Sequence, residues 1–542
     1  MFPEPSARPQ RRWAWAVALG GQFLFVFSIV ALSGPGRLDI DDGRTRFEVA
    51  QSLVDHGDPV IRDPDTWFTV LPGRYGLNYS NCRLPHSALG TVAIWLADHT
   101  GPVWEARRHF FFALIGAVAA GVLAVTYSWL FRRLGWSVWG ALAWGTAGVF
   151  CTPSWYYGTS TFDDVICAAV VVASLAIALV SRQRRPVVGA IVSGLLIGLA
   201  FNCKQPLAIF VLAVLAAQYH CSLSLRAQWP RIALVLAGLA IGVLGYEAYE
   251  LYKFPLETRA AHAAILKKYD PVWTRNPWPG ILSFVASPGC GVFWYCPPVL
   301  LSLVGLAAWW RRQRWFCLAM AASSIIFVVF FSFLVFFKGD LAWGPRYLTP
   351  IFAALWIFVP AAARRVRPRL VGAVLAAGIA VQLLGLSVDP HRLYLQRNLW
   401  SRFYVVDPWV YFDPAVSHLV NRPREIIQIL AYNGPRADKF SPARSPTYCP
   451  PIIEWTPGGT GAVRRYHMLN SLRPFWISQR YLTPAERPVD LARTVALLLT
   501  TSVLGLVCLI LGAVAATPRV PSPRYEPVRS KAVPAFAGST DR

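Results

Sequence analysis

Charged side chains are scarce in this sequence. Asp, Glu, Lys and Arg make up 15% of its 542 residues, against 55% for the hydrophobic set and a mean hydropathy of +0.42. That balance leaves too few polar groups to cover a soluble domain of this size, and a bilayer is the solvent it fits. Acids are scarcer than bases, 28 against 52, for a formal net charge of +24. The bases nevertheless form short clusters between apolar runs, with no stripe along a soluble face, which argues against nucleic acid as a partner. The ten cysteines lack metal-ligand spacing and read as small apolar fillers. Those expected outside (Cys82, Cys151, Cys203, Cys290, Cys296 and Cys449) could pair only in an oxidising compartment. No internal repeat or low-complexity tract is present.

What is present is a recurrence of apolar stretches near the length at which a helix crosses hydrocarbon. They predict an all-α polytopic membrane protein with about twelve transmembrane helices. The spans are expected near 13–33, 110–130, 136–150, 165–180, 187–201, 206–217, 232–252, 291–310, 315–337, 345–363, 370–388 and 491–516. The run at 206–217 is short enough to be re-entrant. With the N-terminus in the cytoplasm, every second connection carries an arginine cluster: Arg11 and Arg12, Arg132 and Arg133, Arg182 to Arg185, Arg311 to Arg314, Arg364 to Arg369. This is the positive-inside pattern. Under it, all but Glu4, Glu526 and Asp541 of the acids fall outside or at the outer boundary, so the outer face is where carboxylate chemistry is expected.

The organisation that follows is a cytoplasmic tail at 1–12 and a membrane core at 13–388 with a first outer loop at about 34–109. An outer-face segment at 389–490, a last span at 491–516 and a disordered cytoplasmic tail at 517–542 complete it. The first span has no small-residue cleavage site and reads as a retained anchor. Two helices of the outer loop suit the membrane interface: 46–56, with Phe47, Val49, Ala50, Leu53 and Val54 at helical spacing, and 84–97, too short to cross.

The sharpest cluster is L-D-I-D-D-G-R-T-R-F-E at 38–48, which sets Asp39, Asp41 and Asp42 just beyond the first span. Carboxylates held at a membrane surface can act as a general base or as metal ligands. The same residues would equally serve as a helix N-cap or a solvated acidic turn. The stretch D-G-R-T-R-F-E-V-A-Q-S-L-V-D-H-G-D (42–58) resembles the first outer loop of bacterial GT-C glycosyltransferases, similar in layout to protein O-mannosyltransferases and aminoarabinose transferases. Three further segments resemble that family in the right order: S-P-G-C-G-V-F-W-Y-C-P-P (287–298), W-G-P-R-Y-L-T-P (343–350) and F-D-P-A-V-S-H-L (412–419). Phe47 stands where the family has tyrosine, and Cys290 where it has arginine.

The resemblance implies a GT-C fold in the inner or plasma membrane, with both termini cytoplasmic and the active site on the outer face. It also implies a polyprenyl-phosphate-linked sugar donor, an Asp base, inversion at the anomeric carbon, and a glycan, lipid or protein acceptor. Asp42, with Asp41 beside it, takes the catalytic position. Arg46, Lys204 in N-C-K-Q-P, Arg346 and Tyr347 take positions near the lipid phosphate. Lys204 and Arg346 would equally snorkel to lipid headgroups. Asp163 and Asp164 are expected to position the acceptor, hold a divalent cation or cap the fourth span; the sequence specifies no cofactor and leaves a divalent cation open. His86, Lys267, Lys268, Lys338 and Asp340 are further outer-face polar groups. Aromatics at the span ends, Trp155 and Trp294 among them, form an interfacial belt or stack on sugar. The rival classes are a transporter or lipid flippase, which would carry ionisable residues near the midplane of its spans, and a non-catalytic membrane subunit.

Overall fold

A peptide group in hydrocarbon has no water to bond, so an apolar chain of this kind satisfies its backbone inside helices. The computed structural model describes residues 9–62, 64, 69–100, 105–219, 224–259, 273–274, 276–339, 342–390, 393, 408–431, 452–455, 461–464, 472–479, 487 and 489–517. Among them, eight helices are long and apolar enough to cross a membrane: Arg12–Ser33, Ala106–Arg133, Asp164–Ser181, Pro186–Cys203, Arg226–Lys253, Val299–Ser332, Pro368–Ser387 and Leu491–Ala516. Lys267, Lys268, Asp340, Cys449, much of 389–490 and the tail after Thr517 lie outside the described residues.

The chain begins with α1 (Pro9–Ser33), then α2 (Asp41–Asp55) and an antiparallel hairpin of β1 (Val70–Pro72) and β2 (Asn78–Ser80), in which Leu71 pairs with Tyr79. There follow α3 (Leu84–His99), α4 (Glu105–Ala113), α5 (Ile115–Arg133), α6 (Val138–Phe150), α7 (Ser154–Gly158), α8 (Asp164–Ser181) and α9 (Pro186–Cys203).

Eight helices of crossing length stand among the described residues where twelve spans are expected, and three local features account for the difference. Val138–Phe150 and Gln205–Gln218 are apolar but short. The stretch expected at 345–363 is broken into Thr349–Trp356 and Val359–Ala362, packed inside the protein. The two spans expected around Arg311 to Arg314 share the run Val299–Ser332, interrupted at Gln313, whose φ of −144° and ψ of 45° are not helical. On a straight helix, Leu306 and Cys317 would stand about 16 Å apart. Instead the Cys317 thiol lies 3.7 Å from the Leu306 carbonyl oxygen, so the chain doubles back at the arginine cluster.

In a bilayer, helices gain little from hiding apolar surface from one another, and close backbone packing through small residues takes over. The first and last long helices meet in this way. A Cβ on Gly512 would lie 2.5 Å from the Ala18 nitrogen, and one on Gly21 would lie 2.5 Å from the Gly505 oxygen. α9 meets Leu225–Lys253 similarly, with Gly194 and Gly198 set against Gly238 and Gly242.

One guanidinium ties together three helices of the segment between α1 and α5. Arg108 bonds both oxygens of Asp55 at 2.8 and 2.9 Å and both of Asp98 at 2.9 and 2.8 Å, tying the C-terminal ends of α2 and α3 to α4. Phe47, Val49 and Ala50 of α2 are buried, as their spacing predicts. The long helices also sort charge by end. At one end Arg182 bonds Gln313 at 2.8 Å and Arg364 lies over the Trp136 ring at 4.1 Å, which gathers several arginine clusters. At the other end stand Asp39, Asp42, Asp163 and Asp164.

The close packing of the first and last helices makes a direct prediction. Gly512→Leu destabilises the protein by about 2 kcal/mol, read as a lower melting temperature in detergent, whereas Gly20→Ala leaves it unchanged because nothing lies within 4 Å of a Cβ placed there.

Candidate active site

The site forms where three helix ends and one tight turn converge. Asp41 and Asp42 occupy the first turn of α2, where the unpaired backbone N–H groups of a helix favour negative charge. The N-cap position belongs to Ile40, and no side chain caps this helix, so neither aspartate serves as a cap. Arg46 follows one turn later. Asp163 and Asp164 open α8, Lys204 closes α9, and Arg346 begins the 3-10 turn Arg346–Leu348.

These groups form one ion network. Arg46 Nη2 lies 3.3 Å from Asp163 Oδ2 and 3.8 Å from Asp42 Oδ2. Lys204 Nζ lies 2.6 Å from Asp164 Oδ1 and 3.5 Å from Asp163 Oδ1. Arg346 Nε stands 3.7 Å from Asp164 Oδ2, and its guanidinium lies over the Phe162 ring at 4.0 Å. The Tyr347 ring is 5.0 Å from Lys204 Nζ, so it forms an aromatic wall beside the cations. Gly344 shapes the preceding turn: its φ is +61°, and a Cβ there would meet the Tyr295 ring at 2.5 Å.

Exposure separates the three carboxylates. The Asp42 side chain is 31% exposed, that of Asp163 10% and that of Asp164 0%. Burial alone would raise the Asp163 pKa, but Lys204 and Arg46 beside it hold its carboxyl well below the usual range. The same reciprocity acts on Lys204: burial opposes its charge, and Asp164 and Asp163 more than restore it. Asp163 stands at the N-cap of α8 yet makes no side-chain cap bond, because its oxygens are turned to the cations. Asp41 is exposed at the helix start.

This arrangement does not suit a divalent cation between Asp163 and Asp164. Lys204 Nζ already occupies the space that both carboxylates face, and among the described residues no group of three or more His, Cys, Asp or Glu is placed to hold a metal.

Two features carry no signature in the sequence. The third acid of the cluster, Asp39, is only 4% exposed in its side chain and pairs with Arg473, itself in an unremarkable S-L-R-P-F-W. His86 is buried in α3 with its ring stacked on Phe112 at 5.0 Å, and neither ring nitrogen has a hydrogen-bond partner among the described residues. Burial, with the Arg46 charge adding to it, lowers its pKa to about 3.

No family model matches the chain, and no curated protein does. Among solved structures it is similar to the crystal structure of the Archaeoglobus fulgidus oligosaccharyltransferase in complex with Zn and sulfate, with a TM-score of 0.37 and 12% identity over 82% of this chain and 59% of that one. It is also similar to the archaeal oligosaccharyltransferase AglB from the same organism in complex with an inhibitory peptide and a dolichol-phosphate, with a TM-score of 0.35 and 12% identity over 84% of this chain and 62% of that one. The chain spans about three fifths of the length of these structures.

Two measurements test the electrostatics. Lys204→Met leaves the buried Asp164 without its closest cation and costs about 3 kcal/mol or more of stability; Lys204→Met combined with Asp164→Asn costs less than the sum of the two singles, read as a double-mutant cycle on melting temperature. For His86, the folded-state pKa of about 3 lies below the ordinary 6.5, so the unfolded chain binds the extra proton first. Its contribution is intact above pH 6.5 and is lost as pH falls, reaching about 2 kcal/mol at pH 5. His86→Phe flattens the stability profile between pH 7 and 5.

Proposed function

We propose that the chain is a polytopic membrane glycosyltransferase of the GT-C kind, similar in type to protein O-mannosyltransferases and aminoarabinose transferases. It moves a sugar from a polyprenyl-phosphate-linked donor to an acceptor hydroxyl at the outer face of its membrane. The observation that carries the reading is the ion network, with Asp42 as its one carboxylate that combines contact with a network cation and substantial exposure. Asp163 is committed to Lys204 and Arg46, and Asp164 to Lys204 and Arg346, which leaves Asp42 to meet a substrate. The position of the network at helix ends, away from the arginine clusters, supports the outer face through the positive-inside rule. It also lets a lipid-borne donor enter sideways with its tail still in hydrocarbon.

In this mechanism the acceptor hydroxyl attacks the anomeric carbon while its proton passes to the Asp42 carboxylate. The bond from that carbon to the phosphate oxygen breaks on the opposite side, which inverts the configuration. The electron pair leaves with the polyprenyl phosphate, and the growing charge is met by Lys204 and Arg346. Arg46 holds Asp42 and Asp163 in register. A phosphate leaves without a proton, so no general acid is required.

Asp42→Asn keeps the side-chain size and removes the base. Transfer of radiolabelled sugar from a polyprenyl-phosphate donor to acceptor by the purified protein falls at least about a hundredfold, with expression and melting temperature retained. Full activity in this variant would end the assignment. Arg346→Lys keeps the charge and loses the guanidinium fork, so the apparent donor affinity falls; an unchanged value would remove Arg346 from the phosphate site. A transporter or flippase would instead move lipid-linked substrate across vesicles without making a glycosidic bond.

A further inference from the structure

Asp39 sits three residues before Asp42, yet its carboxylate is fully engaged. Oδ1 accepts from the Thr161 N–H at 2.9 Å and the Thr161 hydroxyl at 2.7 Å, and Oδ2 accepts from Arg473 Nη2 at 2.9 Å. The two partners are 434 positions apart in sequence, and their side chains are 4% and 2% exposed. Such a carboxylate cannot approach a substrate hydroxyl. What it does hold is the turn that delivers Asp163 and Asp164.

Arg473 grips the same turn from its other side. Nη1 donates to the Tyr156 hydroxyl at 2.9 Å and Nε to the Thr159 hydroxyl at 3.2 Å. Thr161, between them, accepts from Arg46 Nη1 through its carbonyl at 3.5 Å. Its hydroxyl also fills the place that a Cβ on Gly43 would need, so the first turn of α2 rests directly on it. Arg473 is itself fixed by the end of α1 and its neighbours. The Phe475 N–H donates to the Gly34 oxygen at 2.8 Å, Gln479 Nε2 to the Pro35 oxygen at 3.0 Å, and the Arg473 N–H to the Ser387 oxygen at 3.0 Å.

We infer that Asp39 and Arg473 are positioning residues of the transfer site. Their buried ion pair locks the 159–164 turn against the start of α2, so that Asp42 and the ion network share one fixed geometry. The remote segment 472–479 thereby becomes part of that site. This role rests on the transfer reaction proposed above. A pair acting through geometry affects the chemical step more than donor binding, since small misplacements of reacting groups cost rate steeply.

The experiment uses the full-length protein in detergent or nanodiscs, with Asp39→Ala, Arg473→Met and the conservative Arg473→Lys. Gly512→Leu serves as a control that lowers stability at a distant helix contact. Amide hydrogen exchange at Thr161, whose N–H is bonded to Asp39, is expected to quicken at least about tenfold in Asp39→Ala and Arg473→Met but not in the control. In a transfer assay the same two variants are expected to lose kcat at least about tenfold with donor KM within about threefold. Arg473→Lys recovers part of the rate, and the double variant is no slower than the worse single. Unchanged exchange would overturn the clamp. Quickened exchange with full kcat, or with kcat lost equally in Gly512→Leu, would overturn the positioning role. Quickened exchange in a protein whose wild type transfers no sugar would overturn the proposed function and this role with it, leaving a structural ion pair.

Discussion

Everything at the candidate site depends on how a low-dielectric interior treats Asp164. Its side chain has no exposure, and an isolated carboxylate there would carry a desolvation cost of several kcal/mol. Lys204 at 2.6 Å offsets part of that cost, and the arrangement then propagates. Lys204 also contacts Asp163, Asp163 contacts Arg46, Arg46 contacts Asp42, and Arg346 closes the other side of Asp164. The buried and part-buried charges among them, Asp163, Asp164, Lys204, Arg46 and Arg346, each offset a neighbour's desolvation. The network therefore fixes the relative positions of α2, α8, the end of α9 and the turn at Arg346 more tightly than apolar packing alone would.

The scaffold supplies the rigidity that such a network needs. Helices that meet through glycine can approach until their backbones touch, as the first and last long helices do, and an interface of that kind has little room to slide. Arg108 acts at the polar margin of the same scaffold. By holding Asp55 and Asp98 it sets the direction of α2, the helix that carries Asp42.

The sequence is legible where a single physical rule operates along the chain. Hydrocarbon demands long apolar helices, so the membrane-crossing class and most helix positions could be read directly, including the reversal at the arginine cluster around Gln313. It is less legible where the rule is cooperative: residues 345–363 are as apolar as a span, yet they break into short helices inside the bundle. The candidate charges were readable as acids and bases at span ends, but their pairing was not. Arg46 reaches an aspartate 117 positions away, and no spacing encodes that distance. Nor could spacing separate Asp39 from Asp42, which differ in what packs against them.

The long reach between Asp39 and Arg473 also has a temporal meaning. Asp39 leaves the ribosome 434 residues ahead of Arg473, and most of the described helices are made in between. Until then the turn ahead of Asp163 lacks its clamp. A chain that has not yet reached Arg473 therefore carries both aspartates of that turn before the ion pair that braces it can form.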